Sequence, residues 1–323
     1  MDTILQISRQ ETMEQRFNKK HIDAKIRVAI AASETMQVRI AQGVALVQEY
    51  MQGQYYASKK KRIEQLMQMD IPVLVLEMFV GVAYCLKPEL FTSVSAQLAS
   101  RLKLNDRTEA ITTVAELLAV LCRTDAFDIS KESKMASLKL VSCIPLSDEL
   151  VDFINNSQYL PPMLCTPLEL THNFSSGYLT HNDSLVLGAG NHHDGDLCLD
   201  VLNTLGNVAL SLDTQFLCTV EESSNEITLE SIIEAAAMKG QSLASAEAKE
   251  RLRMSLENWS NFKEQSYKFY SLMATQGNKF YLNHKVDKRG RIYASGYHIT
   301  TQGTAFKKAM LEFAEPELVE GIM

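Results

Sequence analysis

The sequence contains no uninterrupted run of about 18 apolar residues, the length that a membrane-spanning helix requires. Its most hydrophobic stretch, residues 71–85, is interrupted by Pro72, Glu77 and Gly81, so we expect a buried helix there. The first residues lack the basic segment and apolar core of a secretory signal peptide. We therefore expect a cytoplasmic protein without a membrane span.

The sequence also lacks a recognisable arrangement of cysteines. Six cysteines are present, but none form a Cys-x-x-Cys pair and their spacings do not resemble a zinc site. They are expected to be reduced thiols, as is usual in cytosolic proteins.

An excess of basic residues is lacking too, because 32 Lys and Arg face 39 Asp and Glu and the net charge is −7. An acidic protein is an unusual binder of nucleic acid. Phosphate binding, however, requires only a local basic stripe on the surface. The positions of the basic residues therefore matter more than their number.

Apolar residues recur with helical spacing and predict an almost continuous run of helices up to about residue 140. We expect residues 1–150 to form a helical N-terminal domain. Prolines, glycines, histidines and asparagines accumulate in residues 151–225 and predict irregular structure with short strands, apart from a helix over 199–212. The predicted fold class is mostly α with a smaller α+β region.

The C-terminal part of the chain begins with a second helical region, residues 226–278. Opposite charges three and four residues apart over 245–268 predict a long exposed helix, which the pair Gly277–Asn278 should end. The last segment, residues 279–323, predicts short strands and loops followed by a helix over 305–313.

Three features admit two interpretations each. The run Lys59–Arg62 predicts a solvated helix start, with a phosphate contact as the alternative. The segment Asn191–Asp196 contains two histidines and two aspartates, so one interpretation is a metal site. A turn is the favoured interpretation, because adjacent histidines rarely face one metal ion and aspartates are common in turns. Trp259, the single tryptophan, is expected to anchor a helix to the core rather than to stack on a base.

The densest basic and aromatic cluster in the sequence lies between residues 279 and 293. It sets six basic residues against a single acid, Asp287, and interleaves three aromatic rings. The basic and aromatic members are Lys279, Phe280, Tyr281, His284, Lys285, Lys288, Arg289, Arg291 and Tyr293.

This cluster has the chemistry of a phosphate-binding site. An arginine offers a planar fork of donors that can hold a phosphate through two hydrogen bonds. Asp287 can fix the direction of one fork, Gly290 allows close approach because it has no Cβ, and Tyr293 offers a ring face or a hydroxyl. Such a site would not read base sequence, because phosphate contacts position rather than specify. The alternative is a surface turn with two solvated arginines.

The stretch LNHKVDKRGRIYASGYHITTQG resembles the Asp-x-x-Gly-Arg region of phage-type and mitochondrial single-subunit RNA polymerases. That family has a tyrosine two residues beyond the motif arginine, as at Tyr293, and then a Gln-Gly pair, as at Gln302–Gly303. The following AFKKAMLEFAEPE is similar to the family's next helix.

Weaker resemblances lie upstream. Residues 161–178 are similar to the family's proline-rich stretch that ends in Gly-Gly-Tyr, although Ser176 stands in place of the first glycine. Residues 199–217, with Asn203, resemble a helix that carries the family's Leu-Asn pattern, and residues 249–283 resemble its thumb helix. The resemblance therefore covers the second half of the chain and implies a thumb-like long helix and the start of a polymerase palm.

The resemblance implies that this part of the chain holds the DNA template and the RNA–DNA hybrid, with Asp287 as an organiser of the motif. The residues expected to bind nucleic acid are Lys285, Lys288, Arg289, Gly290, Arg291 and Tyr293. Further contacts from the thumb-like segment are expected at Lys239, Lys249, Arg251, Arg253 and Lys263, for which a solvated face is the alternative.

No catalytic or metal-binding residue is expected in the chain itself. Nucleotidyl transfer uses Mg²⁺ ions held by carboxylates, and the family's aspartates lie beyond the motif, whereas no aspartate follows Tyr293 here. Four glutamates remain there, at Glu312, Glu315, Glu317 and Glu320.

We therefore expect a subunit resembling the smaller one of the two-subunit phage polymerases. Its partner would supply palm, fingers and Mg²⁺ ligands, and would cover an apolar surface around residues 310–323. An accessory protein could assist promoter opening. The alternatives are a fragment of a longer polymerase and a non-catalytic helical nucleic-acid-binding or interaction protein.

Overall fold

The computed structural model describes residues 4–100, 106–131, 137–156, 159–188 and 191–316. The chain is 55% helical, and its described part has thirteen α-helices and three small antiparallel sheets, which confirms the predicted fold class. It divides into a helical unit, residues 15–158, and a motif unit, residues 1–14 with 159–323. Among the described ranges, no single helix has both the length and the apolar character needed to cross a bilayer.

The first helix, α1 Ile4–Phe17, contributes residues to both units. The helical unit then contains seven further helices and one sheet. Its elements are α2 Lys19–Ala32, α3 Glu34–Met51, α4 Ala57–Leu66, α5 Ile71–Val82, β1 Glu89–Leu90, α6 Phe91–Ala99, α7 Arg107–Leu121, β2 Phe127–Ser130, β3 Lys139–Ser142 and α8 Asp148–Asn156.

The expectation of almost continuous helix over the first 140 residues was wrong at three places. Strands β1, β3 and β2 form an antiparallel sheet in that order, with Phe127 opposite Ser142 and Glu89 opposite Leu140. Each strand has only two to four residues, too few for an alternating pattern to be recognised in the sequence.

Helix α5 is a largely buried helix, as predicted for the most hydrophobic stretch. Asp70 accepts a hydrogen bond from the Val73 amide at 3.1 Å and begins the helix. Val75 and Phe79 are fully buried and belong to the core of this unit. A Cβ added to Gly43 of α3 would lie 3.0 Å from the Val75 side chain, so the glycine permits the close packing of α3 on α5.

The run Lys59–Arg62 lies in α4 and is only partly solvated, which corrects the expectation of an ordinary solvated helix start. Arg62 is buried and its guanidinium donates to Thr113 Oγ1 and to both carboxylate oxygens of Glu116, at 3.0 to 3.1 Å. The Tyr50 hydroxyl also donates to Glu116. This arginine therefore belongs to an internal ion pair.

The motif unit begins with residues 4–14 of α1 and continues from residue 159. Its further elements are α9 Leu199–Gly206, β4 Leu210–Leu212, α10 Thr214–Thr219, α11 Leu229–Ala237, α12 Ser245–Thr275, β5 His284–Val286, β6 Ile292–Ala294, α13 Ala305–Ala309 and β7 Leu311–Phe313.

Two predicted helices in this unit are shorter than expected. The helix predicted over 199–212 ends at Gly206, and the helix predicted over 305–313 ends at Ala309. The residues that follow each of them pair with one another as the antiparallel strands β4 and β7, with Ser211 opposite Glu312. Pairing between distant segments overrides the local helical pattern in both places.

Helix α12 is the long charged helix expected from the sequence. Its 31 residues span about 46 Å, and it is followed by Gly277 and Asn278, whose φ angles are +102° and +52°. The buried side chains of its last third include Phe269 and Met273, whereas most of its first half is exposed.

Two buried polar side chains of residues 4–14 form hydrogen bonds with the rest of the motif unit. Glu14 is fully buried and its carboxylate accepts from the Leu179 and Thr180 amides, each at 2.9 Å. Gln10 donates to Glu14 and accepts from the Leu164 amide at 2.8 Å. Charge-assisted hydrogen bonds of this kind can stabilise a carboxylate that is removed from water.

Candidate nucleic-acid interface

The Asp-x-x-Gly-Arg sequence forms the loop of a β-hairpin. Strands β5 and β6 pair with Lys285 opposite Tyr293 and Val286 opposite Ile292, and residues 287–291 connect them. The Gly290 amide donates to the Asp287 carbonyl, and the Asp287 amide donates to the Arg291 carbonyl, both at 2.9 Å. The motif is therefore a tight, hydrogen-bonded turn.

The Asp287 carboxylate organises this loop. One oxygen, Oδ1, accepts from the amides of Arg289 and Arg291 at 2.9 and 3.0 Å. The other, Oδ2, accepts from Arg291 Nε at 2.7 Å and lies 2.6 Å from its Nη2. The hydrogen bond from the Arg291 side chain holds the pKa of Asp287 at about 2, and the same contact raises the pKa of Arg291.

Arg291 keeps part of its donor set available. Asp287 engages Nε and Nη2, and the side chain is 55% exposed, so the remaining guanidinium donors face solvent. The guanidinium carbon lies 5.8 Å from the centre of the Tyr293 ring. The contacts with the Asp287 carboxylate and the Tyr293 ring fix the direction in which the remaining donors of Arg291 point.

Gly290 has a backbone role that the sequence argument did not give it. Its φ angle is +83°, a conformation that residues with a Cβ rarely adopt. Apart from its two chain neighbours, no described residue has an atom within 4 Å of a Cβ built at this position. The glycine is thus required by the turn itself, and the space beside it is open to an approaching ligand.

The hairpin is supported along both edges. On the β5 side, Val286 donates to the Leu185 carbonyl and accepts from the Leu187 amide, at 2.8 and 2.7 Å. On the β6 side, the Gln302 amide group donates to the Ile292 carbonyl at 2.9 Å and accepts from the Ala294 amide at 3.2 Å. The side chain of Gln302 thus takes the place of a neighbouring strand.

The basic residues of the hairpin differ in availability. Lys288 and Arg289 are exposed, and Arg289 Nε lies 3.8 Å from Asp287 Oδ2. Lys285 instead forms an ion pair with Asp183 at 2.8 Å. Burial lowers the pKa of His284, which therefore does not add to the positive charge. The loop retains three cations, at positions 288, 289 and 291, against one carboxylate.

Residues 161–178 and 199–217 pack together with the segment that contains the hairpin, within the motif unit. Met163 of the proline-rich stretch pairs with Tyr281 through two backbone hydrogen bonds of 2.9 and 2.8 Å. A Cβ at Gly177 would lie 1.9 Å from Asn283 Oδ1, so only glycine fits there. The side chain of Asn203, in α9, makes two hydrogen bonds to the backbone of Leu170.

A small apolar cluster lies under the hairpin and joins these stretches. Val286 is fully buried against side chains of the segments that precede it in the chain. The buried members of the cluster are Leu170, Leu185, Val186, Leu202 and Val286. The strand that leads into the loop therefore packs on a buried apolar cluster.

The expected thumb contacts lie on α12, apart from Lys239, which is exposed in the segment before it. Arg251 pairs with Glu247 and Arg253 with Glu250, at 2.9 and 2.7 Å. Lys263 pairs with Glu221 at 2.6 Å, and Lys249 is exposed. Most of the positive charge on this helix is therefore matched by neighbouring carboxylates.

The base of α12 is joined to the segment after the hairpin through His298. This buried residue lies 2.8 Å from Ser266 Oγ through Nδ1 and stacks on the Phe269 ring at 4.8 Å. Burial lowers its pKa to about 4, so the ring is neutral. Trp259 lies further along the helix and packs against Phe262 with ring centres 5.6 Å apart.

The histidine-rich segment does not gather metal ligands. His193 Nε2 lies 3.2 Å from the Asp287 carbonyl, whereas His192 lies 3.4 Å from the exposed Asp194. In the described part of the chain, no group of three or more His, Cys, Asp or Glu side chains is arranged to hold a metal ion. The segment instead supports the loop of the hairpin.

The supporting roles of several of these residues were not predicted from the sequence. His193, Asp183 and Asn203 act through partners 33 to 102 residues away, and no local pattern marks such contacts. Gln302 lies within the stretch that resembles the polymerase family, but only the geometry gives its role.

No protein-family model matches this sequence. No curated protein matches it either.

Proposed function

We propose that this chain is the template-side subunit of a phage-type DNA-directed RNA polymerase. The observation that carries the proposal is the loop organised by Asp287, which presents Lys288, Arg289 and Arg291 beside Tyr293 on a supported hairpin. The packing of the proline-rich stretch against β5 supports it further, because stretches with separate resemblances to the family meet at one site.

The loop would bind the sugar–phosphate backbone of the template strand and of the RNA–DNA hybrid. Three cations within four residues supply the attraction to phosphate, which falls as salt rises because bound counterions are released. The exposed guanidinium edge of Arg291 suits a phosphate oxygen, and Tyr293 suits a sugar or a base. Such contacts give register rather than sequence preference.

The chemistry of nucleotide addition would come from a partner chain. The described residues do not hold a cluster of carboxylates that fits a two-metal site. In this proposal the partner's palm and fingers bring the aspartates that bind Mg²⁺, and the two chains act together in the cytoplasm of a host cell. An accessory protein for promoter opening is compatible with this arrangement.

The surface that the partner was expected to cover around residues 310–323 lies partly outside the described residues, as do Glu317 and Glu320. Within the described range, Phe313 is 67% exposed and lies on β7. A groove of about 600 Å³ is lined by residues that include Leu210, Leu311 and Phe313. An exposed apolar side chain in a groove is suited to a protein partner.

Reconstitution tests the proposal. The chain is purified alone and together with the product of a neighbouring gene that encodes paired aspartates, and RNA synthesis on a primed single-stranded template is measured. We expect synthesis only from the pair. Synthesis by this chain alone contradicts the division of labour, and nucleic-acid binding without any productive partner favours the non-catalytic binding protein.

The Arg291→Ala variant tests the role of the loop within that assembly. We expect elongation to be crippled while the two chains still co-purify, because Arg291 lies on an exposed loop. Arg253→Ala, an exposed and paired arginine on α12, is the matched control and should leave elongation unchanged. Normal RNA yield from Arg291→Ala contradicts the assigned role.

A further inference from the structure

Phe174 is a large apolar side chain that the fold leaves 63% exposed. It lies in the motif unit, within the stretch that packs against β5. Exposure of a phenylalanine ring to water is unfavourable because the ring is apolar. A single exposed ring needs no explanation when it lies on a loose loop, so its setting decides whether it has a role.

The turn that carries Phe174 is held rigidly. The Ser175 amide and hydroxyl both donate to the His172 carbonyl, at 3.1 and 2.6 Å, and the Phe174 amide donates to His172 Nδ1 at 3.1 Å. The neighbouring Asn173 donates to the Gly195 carbonyl and accepts from the Leu197 amide. The ring is thus displayed from a fixed backbone, at a low entropic cost for binding.

The same turn lies close to the cationic loop. The Asn173 carbonyl accepts from the Leu185 amide, and the Leu185 carbonyl accepts from the amide of Val286 in β5. Asn173 and Val286 therefore lie on either side of Leu185, two hydrogen-bonded backbone spacings or about 10 Å apart. A second set of contacts also places Asn173 near the loop. His193 contacts the Asp287 carbonyl, and the Gly195 carbonyl accepts from Asn173. Gly195 follows His193 by two residues, a span of at most about 7 Å.

We propose that Phe174 stacks on an unpaired base of the nucleic-acid strand whose phosphates bind the loop at Lys288, Arg289 and Arg291. This inference rests on the proposed function and adds a second aromatic contact to a site whose cations bind the backbone. An aromatic face accepts any base, and proteins that bind single strands combine such faces with a basic groove. The adjacent cations favour this occupant over an apolar peptide.

The test compares three substitutions at this position in the full-length chain. Fluorescence anisotropy measures the binding of labelled single-stranded DNA, of single-stranded RNA of the same sequence and of a blunt duplex. Phe174→Ala removes the ring, Phe174→Leu keeps apolar bulk without a π face, and Phe174→Trp keeps the face. Tyr56→Ala, which removes an exposed aromatic ring of the helical unit, is the control.

We expect Phe174→Ala and Phe174→Leu to weaken binding of at least one single strand about tenfold, within the range for one stacked base. Phe174→Trp should bind as tightly as the wild type, and duplex binding should be the same in all variants. The DNA and RNA arms identify which strand occupies the site. Tyr56→Ala should have no effect.

Wild-type affinity in Phe174→Leu, which indicates an apolar contact without stacking, would overturn the inference. Equal losses on single strands and duplex would overturn it as well. Arg291→Ala separates this inference from the proposed function. If Arg291→Ala weakens binding and Phe174→Ala does not, only the stacking role is wrong. If the wild type binds none of the three nucleic acids, the proposed function is wrong as well.

Discussion

Arg62 in the helical unit and Arg291 in the motif unit are both paired with a carboxylate, at shortest distances of 3.0 and 2.6 Å. The side chain of Arg62 is 11% exposed, and its guanidinium is shared between Glu116 and Thr113. The side chain of Arg291 is 55% exposed, and Asp287 engages one edge of it. The same chemical pair therefore stabilises a fold where it is buried and displays a cation where it is exposed.

The largest effect is expected from breaking the buried pair. Glu116→Ala leaves Arg62 charged and without its carboxylate inside the helical unit, which should lower the free energy of unfolding by about 3 kcal/mol. Urea denaturation followed by circular dichroism measures this. Glu49→Ala, which removes an exposed partner of Arg123, is the control and should change stability little.

The pH dependence of stability gives a second measure of that pair. Burial raises the pKa of Glu116, but the hydrogen bonds from Arg62 and Tyr50 outweigh burial, and its net pKa is lowered from 4.5. Its contribution is therefore complete above pH 4.5 and is lost as the pH falls through the lower folded-state pKa. Glu116→Gln should flatten the acid limb of the stability curve; an unchanged limb would show that other carboxylates dominate it.

The next largest effect is expected at the exposed pair, on binding and not on folding. Arg291→Ala should weaken binding of single-stranded DNA or of an RNA–DNA hybrid about tenfold and reduce the salt slope by about one phosphate contact. Anisotropy titrations between low and moderate salt measure both. A tenfold loss with an unchanged salt slope would indicate that Arg291 contacts a base or sugar.

A smaller loss is expected from Gln302→Ala, because Gln302 acts through the strand that carries Tyr293. Its two hydrogen bonds, to Ile292 and Ala294, flank that tyrosine. We expect a roughly threefold loss of affinity, about 0.7 kcal/mol, and faster hydrogen exchange at the Ala294 amide. Gln302→Glu cannot donate to Ile292 and should behave in the same way. Unchanged exchange at Ala294 would remove the basis of this role.

For the Asp287 carboxylate itself, the expected change is in its pKa. Asp287 has a pKa of about 2 because Arg291 and two backbone amides donate to it. It is therefore ionised at every pH used for binding, and the order that it gives to the loop is lost only as the pH falls through about 2. Carbon-detected NMR of Arg291→Ala should find its pKa raised toward the usual range of an aspartate.

The smallest effect is expected on α12, where exposed arginines are paired on a helix surface. Arg253→Ala removes contacts with Glu250 and Glu257 and should change affinity for nucleic acid less than twofold. A larger loss would show that the interface extends to the thumb-like helix and that Arg253, like Arg291, contacts nucleic acid.

The sequence predicted what depends on neighbouring residues. The buried helix at α5 and the long α12 follow from apolar runs and from charges three and four residues apart. The sequence also predicted that Asp287 fixes the direction of one arginine fork, and in the structure that arginine is Arg291, four residues away in the same loop.

Distant partners account for what was missed. Strand β3 pairs with residues about 50 positions earlier, and the second half of the helix predicted over 305–313 became β7 because β4 pairs with it. The roles of Gln302 and His193 depend on backbone groups of other segments. The burial of Arg62 likewise depends on α7, since a charged run in a sequence does not reveal what packs over it.

Glu14 leaves the ribosome 165 and 166 residues before the amides of Leu179 and Thr180 that surround its carboxylate. At ordinary rates of translation this interval lasts on the order of ten seconds. Throughout it, Gln10 and Glu14 must remain hydrated, because the backbone groups that they bind have not been made. The first residues of the motif unit therefore cannot reach their final environment until residues 179 and 180 have been made.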